Sequence, residues 1–438
     1  MDIPKTSLSR RRFIAQSLAA GGAVSVPWLA PSRALGLGAV AAPSERVTLG
    51  VIGYGPRCRH VLGCMLPEPD VQCVALCDVQ ASRREQGKAA VDEHYGSSDC
   101  ALYRDLREML ARSDIDAVLV ATGDRWHTPA SILAAKAGKD IYSEKPCAIN
   151  MAECRALAET MRRFGTVYQA GTQRRSIENF QVAVNLARSG KLGKLHTLHA
   201  SVYTPRMLHD WLPAEPEPPK DVVDWDMWVG PSPWRPYNSA YVNGRWRGYP
   251  DFESGATLLD WGAHTVDLCQ WANDADDTAP IEYEPSESNI IGRYANGVEV
   301  ILGFLATPFG DRSPHWPNHL GTCPVRFVGE EGWIETGDSG DILVHPESLK
   351  SEFPGAAARR QGTDAGTHVR NFFDCVKTRA RTNCDAETTR HSHLACYAAA
   401  NSWMLGRKLT LDPATEEFIG DDEANRMRSR AAREPWGV

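Results

Sequence analysis

Three residues could move protons. Lys145 sits in Ile141-Tyr142-Ser143-Glu144-Lys145-Pro146, and Asp260 and His264 lie in Asp260-Trp261-Gly262-Ala263-His264. An ammonium can donate to an oxygen that is gaining charge, and an imidazole can take the proton that leaves it. On a helix, positions i and i+4 share a face. Asp260 and His264 are therefore expected to project together, with Asp267 one turn on. A carboxylate beside an imidazole would orient the ring and raise its basicity. Taken singly, Lys145 could equally be a solvated strand-end lysine, and Asp260/His264 a helix-surface pair.

All three lie downstream of Gly53-Tyr54-Gly55-Pro56-Arg57-Cys58. The first glycine suits a tight turn, and the second lets the backbone approach a pyrophosphate at a helix N-terminus. Cys58 replaces the third glycine of the usual fingerprint and is small enough for helix–strand packing. Asp78 closes the next strand, where an acid accepts from ribose hydroxyls and repels a 2′-phosphate. That favours NAD. Arg83 and Arg84 could offset the repulsion, so NADP is not excluded. Protonic groups beside a nicotinamide mean hydride chemistry at a carbinol carbon.

The elements that must position these groups alternate. Arg46–Gly53, Val71–Asp78, Ala117–Thr122, Lys139–Ser143 and Val167–Gly171 read as strands. Helical patterns at Arg84–His94, Asp105–Ala111, Pro129–Ala137 and Met151–Phe164 separate most of them. This predicts a parallel sheet with right-handed crossovers. After Gly171 the pattern changes. A helix at Ile177–Ser189 and a strand at Lys194–Tyr203 precede a long loop, Pro205–Pro250, rich in Pro and Trp. A loop that long is usually functional or intersubunit. A helix at Ser254–Trp271 follows. Strand-like segments between Glu282 and His345 predict a mostly antiparallel sheet, and helices at Gly366–Thr378 and Thr388–Leu405 end the domain. The reading is α/β, with a Rossmann domain over 41–170 and a second α/β domain over 171–438.

Residues 1–40 are set apart. Ser9-Arg10-Arg11-Arg12-Phe13-Ile14 and the Ala/Gly-rich stretch to about Leu29 resemble a twin-arginine export signal, with a cleavage site near Ser32-Arg33-Ala34. The apolar run is too short and too poor in Leu and Ile for a membrane span. The expected location is the periplasm. That compartment has no NAD pool to exchange with, so a cofactor carried there would be tightly held. Of the twelve cysteines, Cys73, Cys77, Cys269 and Cys375 sit in apolar patterns and read as buried thiols. Cys58, Cys64, Cys73 and Cys77 lack metal-ligand spacing. His315 and His319 are four apart, but Pro314 and Pro317 argue against a helix presenting both, and no metal is expected. A net charge of −7 gives no footprint for nucleic acid.

The chain resembles the glucose-fructose oxidoreductase/inositol dehydrogenase/MocA (Gfo/Idh/MocA) family. The resemblance rests on Gly53-x-Gly55, Asp78, Trp126-His127-Thr128-Pro129, Ala137-Gly138-Lys139, Glu144-Lys145-Pro146 and Asp260-x-x-x-His264-x-x-Asp267. It implies an N-terminal Rossmann domain, a C-terminal α/β domain whose open sheet often makes oligomers, and substrates of the sugar or cyclitol kind. Lys145, Asp260 and His264 are then the catalytic set. Gly53, Tyr54, Gly55, Arg57 and Asp78 are expected at the cofactor, as are Thr122, His127, Glu144 and Lys145. Gln173, Arg174, Arg247 and Asp267 are candidates for the substrate. Tyr203, His209 and the tryptophans Trp225, Trp228, Trp234 and Trp246 could contact a sugar. Two other readings stand beside an exported NAD(P)-dependent oxidoreductase. One is a glycosidase that uses bound NAD as a transient oxidant. The other is a non-catalytic dinucleotide-binding protein, although such proteins tend to lose proton-transfer residues.

Overall fold

The computed structural model describes residues 41–305, 320–353, 362 and 364–437. The expected export signal, His315 and His319 lie outside the described residues. The chain divides into two compact units, Met1–Arg46 and Val47–Val438. In the first, the described residues form a single 3-10 turn, Pro43–Glu45.

The second unit begins with β1 (Val47–Ile52), an apolar strand buried along most of its length. It leaves through Gly53 into α1 (Pro56–Met65), which has Pro56 in its first turn, where a missing N–H costs nothing. Then follow β2 (Val71–Cys77), α2 (Ala81–Tyr95), β3 (Ala101–Tyr103), α3 (Leu106–Leu110), β4 (Ala117–Val120) and α4 (Asp124–Lys136). β5 (Asp140–Ser143), α5 (Met151–Phe164) and β6 (Tyr168–Ala170) complete the layer. The six strands form one parallel sheet in the order β3-β2-β1-β4-β5-β6. Helix α4 starts at Asp124 rather than at Pro129. Gly123 provides the extended residue before the helix, and Asp124 places an acid at the positive end of its dipole. Pro129 is accommodated inside.

A second sheet holds nine strands. Helix α6 (Glu178–Arg188) leads into its long central strand β7 (Leu195–Tyr203). The Pro205–Pro250 segment is not structureless. It holds α7 (Trp225–Val229) and α8 (Ser239–Val242) and has its own buried cluster of Trp225, Trp228, Tyr241 and Tyr249, joined by Phe252 just beyond it. Next comes α9 (Leu258–Ala272), preceded by a separate 3-10 turn, Gly255–Thr257. The expected single helix from Ser254 is broken there, because Ala256 and Thr257 have left-handed backbone, with φ of 54° and 69°. The remaining strands are β8 (Glu282–Pro285), β9 (Asn289–Arg293), β10 (Glu299–Leu305), β11 (Val325–Gly329), β12 (Gly332–Thr336) and β13 (Ile342–His345). They are followed by α10 (Gly366–Thr378), α11 (Ala386–Leu405), β14 (Leu409–Asp412), β15 (Glu417–Phe418) and α12 (Asp422–Arg426). The order in this sheet is β13-β12-β11-β7-β10-β9-β8-β14-β15, and all neighbours are antiparallel except β7 and β10.

Two packing features position the site. Helix α9 lies on β7 and α11, and at Gly262 a Cβ would come within 3.3 Å of Cys396 Sγ. Helix α10 belongs to the chain after residue 171, yet its Val369, Phe372 and Phe373 are buried in one cluster with Leu49, Val51 and Tyr142 of the first sheet. The first sheet's core therefore does not end where its strands end. The twelve cysteines are unpaired, and all but Cys64 are buried.

Candidate active site

Gly53 turns the chain between β1 and α1 with φ of 86°. A Cβ there would sit 2.9 Å from the Ala121 carbonyl oxygen, so only glycine fits. Asp78, just past β2, braces this turn. Its two oxygens accept the backbone N–H of Tyr54 at 2.7 Å and of Gln80 at 2.8 Å. Burial pushes its carboxyl up, and Arg83 is the strongest of the interactions that oppose this. Each oxygen keeps a lone pair for a ribose hydroxyl. Cys58, in the third fingerprint position, is fully buried in the core beneath α1.

A cavity of about 350 Å³ opens over this turn. Gly53, Gly55, Arg57, Asp78 and Thr122 line one wall, and Trp228, Trp246 and Arg247 come from the long segment opposite. That segment is fastened to the first domain by main-chain bonds. Asp224 N donates to the Val79 carbonyl at 3.0 Å, and Ala81 N to the Val222 carbonyl at 2.9 Å. The Trp126 indole donates to the Met227 carbonyl at 2.8 Å. The walls fit a dinucleotide: a glycine turn beneath a helix N-terminus, a carboxylate at the ribose position and an enclosing segment above. Trp225 and Trp228 stack on each other in the buried cluster. Trp246 lies under Arg247 at the cavity wall, and Trp234 is exposed.

The proton-handling residues meet across the two domains. Lys145 Nζ donates to Asp260 Oδ1 at 2.8 Å and also to the Asp260 carbonyl. Arg247 Nε approaches Asp260 Oδ2 at 3.6 Å. Burial alone would raise the Asp260 carboxyl, but Lys145 and Arg247 hold it below the usual range. Asp260 is thus turned to Lys145, not to His264. The expectation that Asp260 raises the basicity of the imidazole is overturned: His264 lies well below the usual histidine value. Burial is the main cause, and the charges of Arg174, Lys145 and Arg57 add to it. His264 is buried and neutral at pH 7, and its Nδ1 has no hydrogen-bond partner among the described residues.

Other expected residues are occupied elsewhere. Glu144 accepts from Arg57 Nε at 2.8 Å, and Gly171 packs so tightly on it that a Cβ would lie 2.8 Å from the carboxylate. His127 spans the Pro146 carbonyl (2.5 Å) and the Thr122 carbonyl (3.3 Å), bracing the lysine loop. Asp267 is locked by Arg175 through bonds of 2.7 and 2.9 Å, and Arg175 also holds Asp276. Arg174 is held by Asp338 at 2.6 and 3.0 Å. Asp267 is thus committed to Arg175 by two bonds, and Arg174 is tied to Asp338 through Nε and Nη2. Gln173 is buried with its Oε1 unpartnered among the described residues. Tyr203 lies beside Trp261, while His209 is exposed.

Sequence reasoning missed two acids here. Glu253 is buried, accepts from Gly248 N and faces Asp124 and Asp260 around Arg247. Its carboxyl is pushed up to about 8, chiefly by burial and then by Asp124. Asp124 accepts from Ser254 N at 3.1 Å. No local pattern marks either acid, because Asp124 and Glu253 are brought together only by the fold.

A six-stranded parallel sheet with this glycine turn and acid, joined to a second α/β domain that brings charged groups to its edge, defines an NAD-binding Rossmann class. Residues 47–172 match the oxidoreductase family with NAD-binding Rossmann fold, and residues 209–301 and 330–438 match that family's C-terminal α/β domain. The chain belongs to the Gfo/Idh/MocA oxidoreductase family. It is 32% identical over 167 residues to a glycosyl hydrolase family 109 protein of Saccharopolyspora erythraea, covering 35% of this chain and 36% of that one. It is 22% identical over 222 residues to an inositol 2-dehydrogenase of Salmonella typhimurium, covering 50% and 52%. The match thus spans about half or less of these relatives' lengths. The fold is similar to that of the WlbA dehydrogenase from Bordetella pertussis, solved with NADH and UDP-GlcNAcA. The TM-score is 0.60 at 18% identity, over 84% of this chain and 98% of that one.

Proposed function

We propose that this protein is an exported NAD(P)-dependent oxidoreductase acting on a sugar- or cyclitol-like alcohol with a tightly retained cofactor. The observation that carries the reading is the Lys145–Asp260 pair, held at 2.8 Å between the domains with the neutral His264 on the same helix face as Asp260. Lys145, aimed by Asp260, donates to the substrate oxygen and stabilises negative charge growing there. His264, neutral and with a buried, unpartnered Nδ1, accepts the hydroxyl proton. NAD, when bound, supplies the hydride acceptor for the carbinol carbon. Asp78 and the glycine turn position the dinucleotide, and the long segment excludes water. The relatives named for inositol and for a sugar nucleotide support this substrate class.

The resemblance to a family 109 glycosyl hydrolase favours a second reading, in which oxidation, elimination, hydration and reduction leave no net change in cofactor. Retention of Glu144-Lys145-Pro146 argues for simple redox. One experiment separates them. Bound nicotinamide absorbance is followed in single turnover over a panel of hexoses, aryl glycosides and inositols. Accumulating NADH supports the first reading, and glycoside cleavage without net NADH supports the second. A protein that binds dinucleotide yet neither reduces it nor cleaves a glycoside would be non-catalytic. Export through the paired arginines is tested by Arg10→Lys with Arg11→Lys, which should trap precursor in the cytoplasm; unimpaired export removes the assignment. A homo-oligomer through the nine-stranded sheet is expected, with sedimentation as its measurement.

A further inference from the structure

Arg125 stands in the first turn of α4 and lines the cavity, with 3% of its side chain exposed. The guanidinium lies flat on Trp228, 3.7 Å from the ring centroid, with Phe252 at 5.1 Å. Its Nε donates to the Trp228 carbonyl at 2.8 Å. Its Nη1 has no partner, and no carboxylate among the described residues forms an ion pair with it. Asp124, the acid acting on it, is bonded to Ser254 N. Arg83 lines the same cavity and adds a second positive charge. Burial pulls Arg125 down to about 9, with Asp124 opposing and Arg83 assisting. A guanidinium buried without a counter-ion is costly, and it persists in a fold when something completes its donors. A ribose hydroxyl or an adenine edge is neutral and would leave the Arg125 charge without a counter-ion. A phosphoryl group supplies the charge and matches the planar fork.

We propose that Arg125 is a cofactor-binding residue whose guanidinium edge takes a phosphoryl oxygen of the dinucleotide, with Arg83 on the same wall. This rests on the dinucleotide reading of the cavity. The rival role is that of a strut fastening Trp228 to α4.

The test uses the full-length protein, stripped of co-purified nucleotide by dialysis against charcoal. NAD and NADP are titrated calorimetrically into wild type, Arg125→Met and Arg125→Lys, and the melting temperature of each is measured without ligand. Arg125→Met should weaken binding roughly ten- to hundred-fold, the worth of a charged hydrogen bond. Its ligand-free melting temperature should hold or rise, because an apolar chain fits between Trp228 and Phe252. Equal weakening for both cofactors assigns the pyrophosphate, and greater weakening for NADP assigns the 2′-phosphate. If the melting temperature falls, weakening that Arg125→Lys relieves still supports the proposal. Unchanged binding overturns it, as does equal weakening in both variants with a lowered melting temperature. Wild type that binds neither cofactor overturns the dinucleotide reading itself.

Discussion

At the glycine turn the contacts involve the main chain and stay around one sheet. Asp78 reaches back 24 residues to the Tyr54 N–H, and Gly53 packs on the neighbouring strand's carbonyl. At the proton-handling set the contacts are between charges and distant. Lys145 and Asp260 are 115 residues apart, and Arg247 comes from a third segment. The turn depends on one sheet being folded. The charge set depends on two domains and the long segment meeting correctly. Substitutions in the two regions should therefore fail in different ways: turn variants in cofactor affinity, charge variants in turnover.

The largest effect should be kinetic. Lys145→Ala and His264→Ala are each expected to cost about 10²–10⁴-fold in turnover, as removal of a general acid–base group does, with NAD affinity intact in His264→Ala and reduced less than the rate in Lys145→Ala. Single-turnover absorbance and calorimetry read the two quantities separately. A loss of affinity as large as the loss of rate would erase the distinction between the regions.

Next in size is Arg175→Ala. This variant leaves Asp267 of α9 buried and uncompensated, and should destabilise the fold by about 3–5 kcal/mol. Urea unfolding measures it. A small effect would mean that the charge set is not anchored by that buried pair.

Glu253 sharpens the comparison through pH. Its folded pKa, about 8, lies above the ordinary glutamate value, so the native state keeps a proton that the unfolded chain gives up. Its contribution to stability is full below the unfolded pKa and is lost as pH rises towards about 8. Wild type should lose up to about 1.4 kcal/mol per pH unit through that window relative to Glu253→Gln. Unfolding midpoints at successive pH values provide the check, and parallel curves for the two proteins would contradict it.

The smallest effect belongs to the turn. Asp78→Ala should weaken NAD by roughly 1.5–3 kcal/mol and NADP by less, because it removes ribose hydrogen bonds and a repulsion of the 2′-phosphate together. Titration with both cofactors decides it. Equal losses would make Asp78 a brace of the backbone only.

The sequence carried the turn better than the charge set, for a physical reason. Gly53, Asp78 and the strands around them follow from local patterns, and α5 falls on Met151–Phe164 as its periodicity predicts. Helical spacing put Asp260 and His264 on one face but could not say which neighbour each would meet. Asp260 turned to Lys145 because that ammonium arrives from another domain. Arg174 and Asp267 looked available because their partners, Asp338 and Arg175, are set by tertiary packing. The long segment read as loop because its Trp and Tyr residues bury one another in a small core of its own, without helical or strand periodicity.

Helix α10 has one more consequence, for how the protein is made. Phe372 and Phe373 fill the first sheet's core, yet they are synthesised long after its last strand. At ~5–20 residues per second, the ribosome needs on the order of tens of seconds to travel from Thr172 to Thr378. Over that interval the emerging sheet carries a greasy, uncovered flank. Holding chaperones would have a defined target and a defined release point, the appearance of α10. A fragment ending at residue 172 should stick to them or to itself.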